Sequence, residues 1–102
     1  MPYQFVNDVN PKKIAKLANP VQAEAVIEEI STLAGETEPV TGDQVNQWLG
    51  VLAGDDILAQ KVKGSVNTIE VYPGGKGSPD RIFITAGGGT VTVVAVGEAS
   101  HK

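Results

Sequence analysis

The second half of this chain holds a set of residues that could carry out acid–base and phosphate chemistry. The set consists of basic side chains on or beside predicted strands, namely Arg81, His101, Lys102, Lys61, Lys63 and Lys76. Histidine exchanges protons near neutral pH, and Arg and Lys stabilise charge that develops on a phosphate under attack. RNA cleavage without a metal needs a group that takes the 2′-hydroxyl proton, cations on the phosphate and a group that protonates the leaving oxygen. These residues could supply that chemistry if the sheet brings them together.

Two interpretations of these positions stay open from the sequence. Arg81 follows Asp80 directly, so it is either a charge at the end of a hairpin or a side chain that faces a ligand phosphate. His101 and Lys102 lie at the end of the sequence given, where segments are often disordered, or they extend the last strand as catalytic groups.

Other possible sites are less convincing. The stretches PGGKGSP and AGGG join strand to strand, whereas a phosphate-binding loop joins a strand to a helix, so we predict turns. Glu28 and Glu29 are adjacent, as are Asp55 and Asp56, and adjacent side chains do not face each other on a helix. We therefore predict no paired-carboxylate site, and we attribute Asp55 and Asp56 to the electrostatics of a helix start.

Composition narrows the classes of protein that remain. With 102 residues, of which 41% are hydrophobic, the chain suits a single domain spanning residues 1–102. The absence of cysteine excludes disulfides and thiolate metal sites, and one histidine makes a zinc site improbable, so we expect neither metal nor cofactor. No apolar run approaches the roughly 18 residues that span a membrane, and no signal peptide is evident, which predicts a cytoplasmic protein without a membrane partner.

The net charge of −4 hides an asymmetry between the two parts of the chain. Residues 1–60 hold three lysines against nine acids, a net charge of −6, whereas residues 61–102 have a net charge of +2. The charges either decorate solvated faces or form a mildly basic surface on the C-terminal part.

Patterns in the first two-thirds predict one strand followed by helices. Tyr3–Asn7 contains β-formers, and two Asn-Pro pairs, beginning at Asn10 and Asn19, are typical helix starts. The second of these helices should end near Gly35. Asp43 should begin a third helix, with Trp48 in its core-facing stripe, and we predict that a helical segment restarts at Asp55 and ends at Gly64.

From Val66 onward the period of the apolar residues changes to two, which indicates strands. Three segments, VNTIEVY, RIFIT and TVTVVAV, are separated by glycine-rich turns. The predicted fold class is therefore α+β, with a short N-terminal strand, two to four helices, and a C-terminal antiparallel β-meander with the helices packed on one face.

Residues 58–102 resemble the RelE/ParE superfamily of bacterial toxins. The matching segments are KVKG, NTIEVYP, DRIFIT and TVTVVAVGEASHK. The resemblance implies an endoribonuclease that cleaves mRNA, usually at the ribosome, and that is neutralised by a cognate antitoxin protein. It implies that Arg81 matches the strand arginine of the family, that His101 and Lys102 occupy its catalytic positions on the last strand, and that Lys61, Lys63 and Lys76 bind RNA.

The sequence also departs from the pattern of that family. The chain is acidic overall, and Glu70 and Tyr72 stand where RNA-cleaving members often carry basic residues. The middle region, TEPVTGDQVNQWLGVLAGDD, is longer than the usual helical connection. The acidic N-terminal part and the missing basic residues of the strand favour a second hypothesis, a non-catalytic ParE-like toxin or a protein-binding module that acts by protein–protein contact.

Overall fold

A computed structural model describes residues 1–98 and shows an α+β fold with three helices and a five-stranded mixed sheet. The elements along the chain are β1 (Gln4–Asn7), α1 (Pro11–Ala15), α2 (Pro20–Glu36), α3 (Gln44–Gly54), β2 (Leu58–Lys61), β3 (Thr68–Tyr72), β4 (Asp80–Gly87) and β5 (Thr90–Glu98). The predicted α+β class is confirmed.

Each helix begins at a polar residue whose side chain accepts a hydrogen bond from the first turn. The side-chain oxygen of Asn10 accepts from the Lys12 N–H at 2.9 Å, and that of Asn19 accepts from the Gln22 N–H at 3.1 Å. Asp43 does the same for α3. These bonds satisfy backbone donors that have no partner within the helix, so the helix starts predicted at Asn10, Asn19 and Asp43 are confirmed.

The strands are arranged in the order β1-β5-β4-β3-β2. The four C-terminal strands pair antiparallel in sequence order, as a meander does, and β1 pairs parallel with β5 at the opposite edge. A bulge in β5 shifts the register between Phe83 and Ile84 of β4. Strands β1 and β2 are therefore the two edges of the sheet.

The prediction of a helical segment from Asp55 to Gly64 is wrong. Asp55 ends α3, Asp56 adopts a left-handed conformation with φ of 62°, and Leu58–Lys61 form a strand against β3. The two aspartates therefore follow a helix C-terminus and do not begin a helix. The apolar spacing of this short segment suits a helix or a strand, and pairing with β3 decides between them.

The helices pack against one face of the sheet, where the inward side chains of β3, β4 and β5 are fully or almost fully buried. These are Ile69, Val71, Ile82, Ile84, Ala86, Val91 and Val93. Trp48 of α3 is completely buried in the same cluster and meets Tyr3 edge to face, with ring centroids 5.3 Å apart, which confirms its predicted core position. Within residues 1–98, no helix is long and apolar enough to cross a membrane.

Candidate functional site

Arg81 lies on the face of the sheet opposite the helices, which we call the open face. Alternation along β4 places it there because its neighbour Ile82 points into the core. Only 5% of Arg81 is exposed. Its Nη1 donates to the backbone carbonyls of Ser78 and Asp80, the latter at 2.7 Å, and its guanidinium carbon lies 4.1 Å from the centre of the Tyr72 ring.

The charge of Arg81 is balanced by Glu70 on the neighbouring strand. Arg81 Nε lies 3.4 Å from Glu70 Oε2, close enough for an ion pair, although its orientation leaves Nε without a hydrogen bond in the described residues. Glu70 Oε1 accepts from Gln60 Nε2 at 3.2 Å and from the Tyr72 hydroxyl at 3.1 Å. We call these four residues, Gln60, Glu70, Tyr72 and Arg81, the open-face network.

The open-face network changes the acidity of one tyrosine. Burial raises the pKa of Tyr72, and its hydrogen bond to Glu70 and the charge of that carboxylate raise the pKa further, while Arg81 acts in the opposite direction. The Tyr72 hydroxyl is therefore held as a neutral donor. A phosphate that bound Arg81 would have to displace contacts to the carboxylate, the ring and two carbonyls.

Asp80 points away from Arg81, to the helix side of the sheet. Its two carboxylate oxygens accept from the backbone N–H groups of Ala18 and Asn19, each at 2.9 Å, and Asp80 is almost completely buried. Asp80 thus fastens the start of α2 to β4, a link that the sequence analysis missed because the partners are more than sixty residues apart.

The three lysines predicted to bind RNA are exposed, and their side chains form no hydrogen bond or ion pair with residues 1–97. Lys61 ends β2, and Lys63 lies in the turn that follows it. Lys76 lies in the turn between β3 and β4, near the other end of β2 because Leu58 pairs with Tyr72. The lysines therefore flank the β2 edge at both ends.

A small pocket of about 120 Å³ adjoins this edge, which we call the β2 pocket. It is lined by Leu58, Ala59, Gln60, Tyr72 and Lys76. Leu58 is 44% exposed, and Gln60 and Tyr72 connect the pocket to the open-face network. The pocket offers one apolar wall, two polar groups and one cation.

The structure also joins two carboxylates from different helices. Asp55, at the end of α3, lies beside Glu29 of α2, and a hydrogen bond with Asp55 together with its charge raises the pKa of Glu29. Sequence reasoning considered only adjacent carboxylates and missed this pair. Both side chains are exposed, so water screens the interaction.

The remaining predicted catalytic residues, His101 and Lys102, lie outside the described residues. Over residues 1–98, no three His, Cys, Asp or Glu side chains come close enough together to hold a metal ion.

Comparison of the chain with protein-family models, with curated proteins and with solved structures found no match in any of the three. Function must therefore be inferred from the geometry of the residues.

Proposed function

We propose that this chain is a binding module that acts by protein–protein contact through the β2 edge and the β2 pocket. The observation that carries the proposal is the engagement of Arg81, whose guanidinium is buried and held by Glu70, the Tyr72 ring and two carbonyls. Arg81 then acts as a structural residue that supports the pocket wall. This function corresponds to the second hypothesis drawn from the sequence.

The β2 edge has the features of a strand-addition surface. In the part of the chain that the structure describes, no strand pairs with the outer side of Leu58–Lys61. An extended peptide can form main-chain hydrogen bonds with such an edge, and a pocket beside it selects one side chain. The β2 pocket would take an apolar side chain against Leu58, while Lys61 and Lys76 would pair with acidic residues of the partner.

Lysines at an edge strand also discourage indiscriminate pairing between sheets. This effect is compatible with selective binding, because an acidic partner gains from the same charges that repel a second basic edge. A partner of this kind would be an extended acidic segment, such as the antitoxin that the RelE/ParE resemblance implies.

RNA cleavage is the second candidate function, and the exposed, unpaired state of Lys61, Lys63 and Lys76 in the described residues favours it. In this alternative, the three lysines bind the RNA backbone, and Arg81, His101 and Lys102 act on the scissile phosphate. Arg81 would then have to leave Glu70 when RNA binds.

A cleavage assay separates the two functions. Purified wild-type protein and His101→Ala would be incubated with free mRNA and with ribosome-bound mRNA. The binding-module proposal predicts no cleavage above that in buffer. Cleavage by the wild type that falls roughly 100-fold or more in His101→Ala would overturn it in favour of a nuclease.

The contact surface is tested by selecting binders from a displayed library of random extended peptides. We expect selected peptides to lose at least tenfold in affinity for Leu58→Asp, which places a charge in the pocket wall. Val66→Asp is the matched control, because Val66 is 85% exposed and does not line the pocket. Equal affinity for the two variants would show that the peptides bind elsewhere.

A further inference from the structure

We infer a second docking surface at the other side of the sheet, where the β5 edge accepts an extended acidic segment of another protein. Strand β5 is nine residues long, but β1 pairs only with Thr90–Val93. The last bond on this side runs from the Asp8 N–H to the Val93 carbonyl at 2.9 Å. Beyond Val93, no described strand covers the outer edge of β5 up to Glu98.

A groove lies between this uncovered edge and α1, and we call it the α1–β5 groove. It consists of two adjoining cavities of about 190 and 330 Å³, which share Lys13 and Val96 as lining residues. Leu17 and Gly97 line the larger cavity, which we call the lower one. Val94, which is 42% exposed, lines the smaller, upper cavity. The combined space falls within the range of roughly 300–1,000 Å³ that is typical of ligand pockets, and it far exceeds the β2 pocket.

The groove is lined by two lysines, although residues 1–60 as a whole have a negative net charge. Residues 1–60 contain only three lysines, and all of them lie on or directly after α1. Two of them, Lys13 and Lys16, line the groove, and neither forms an ion pair with a side chain of residues 1–97. Asp8 lines the upper cavity, so the positive charge is concentrated at the lower end.

These features together specify the occupant. A bare strand edge offers main-chain donors and acceptors, which suits an extended segment better than a helix. Every second side chain of an extended segment would face α1, and at those positions the apolar lining favours Val, Ile or Leu while Lys13 and Lys16 favour Asp or Glu. Such a segment would pair with β5 beyond its bulge, at the edge that β1 does not cover.

The probe is an array of seven-residue peptides that combine Asp or Glu with Val, Ile or Leu in varied order, applied to the full chain. The tightest peptide is then titrated into ¹⁵N-labelled protein. We expect amide shifts at Val94–Gly97 and along α1, and affinity that weakens as NaCl rises from 50 to 500 mM.

Two variants give the matched comparison. Lys16→Glu should weaken binding roughly tenfold, whereas Lys12→Glu, the same charge reversal at a residue of α1 outside the groove, should change it less than twofold.

Three results would overturn this inference while leaving the proposal for the β2 edge intact. They are the absence of any peptide that binds below about 1 mM, which corresponds to only about 4 kcal/mol, amide shifts confined to β2, and equal effects of Lys12→Glu and Lys16→Glu. Concentration-dependent self-association in sedimentation, with the same β5 amides affected, would assign the groove to a second copy of this chain.

Discussion

Replacing Arg81 with methionine should destabilise the protein before it affects any binding or catalytic step. The substitution keeps the apolar stem of the side chain but leaves the Glu70 carboxylate, which is 8% exposed, without its cation. At the observed separation of 3.4 Å and an effective dielectric constant of about 20, the attraction that is lost is about 5 kcal/mol.

Part of that loss is recovered, because Gln60 and Tyr72 still donate to Glu70 and because the desolvation of the guanidinium no longer has to be offset. We therefore expect Arg81→Met to lower the free energy of unfolding by about 3 to 4 kcal/mol. Arg81→Lys retains the charge but loses the planar contacts to the Tyr72 ring and the two carbonyls, and we expect a cost of about 1 to 2 kcal/mol.

The assay is urea-induced unfolding of the wild type, Arg81→Met, Glu70→Gln and the double variant, followed by circular dichroism. In the double variant neither charge is left alone, so its loss should fall short of the sum of the single losses by about 2 to 3 kcal/mol. Strict additivity would show that the ion pair does not couple these residues.

A different result would contradict the structural role that we assign to Arg81. If Arg81→Met unfolds within about 0.5 kcal/mol of the wild type and still abolishes RNA cleavage, Arg81 is a substrate-contacting residue and the contacts in the open-face network are incidental. Arg81→Lys, which should remain folded, then reports whether the guanidinium itself is required.

Three further predictions concern the fold around the candidate surfaces. Asp80→Ala should lower the free energy of unfolding in urea by about 3 kcal/mol, because two backbone N–H groups lose a charged acceptor. Asp43→Ala, which removes an exposed helix cap, should lower it by only about 1 kcal/mol. Equal losses in the two variants would contradict the link between α2 and β4. Both tyrosines should titrate above 10.0 in absorbance measurements, because burial raises the pKa of Tyr3 and of Tyr72. Since folding favours the neutral forms, their contribution to the free energy of unfolding should be fully present below about pH 10 and fall as the pH rises through the raised pKa values. A tyrosine that ionises at or below 10 in the folded protein would refute this. Trp48→Phe should lower the free energy of unfolding, measured by thermal unfolding, by less than about 1.5 kcal/mol, against about 3 to 5 kcal/mol for Trp48→Ala. The reason is that the indole N–H is buried without a hydrogen-bond partner among the described residues, and the phenyl ring removes that donor.

The parts of the fold that could be predicted from the sequence are those encoded by neighbouring residues. Asn10, Asn19 and Asp43 begin helices because each side chain bonds to an N–H two or three residues later, an interaction that a short stretch contains entirely. The alternation along β4 that puts Ile82 and Ile84 on one face and Arg81 on the other is likewise a local pattern.

What could not be predicted depends on partners that are distant in the sequence. Leu58–Lys61 form a strand because they pair with β3. Strand β1 pairs with β5, which is distant from it in the sequence. The pairing of Arg81 with Glu70 depends on the register between β3 and β4, which no local pattern states. The candidate surfaces follow from these distant pairings, so they were harder to foresee than the elements themselves.

The parallel pairing of β1 with β5 has a consequence for how the protein is made. Gln4 lies opposite Thr90, and Asn7 lies opposite Val93, so β1 is synthesised well before the strand with which it pairs. Synthesis at roughly 5 to 20 residues per second delays this pairing by several seconds, during which Phe5 and Val6 have no sheet to join. The helices and the β2–β4 meander can form while translation continues, and the closing of β1 onto β5 becomes the final step of folding.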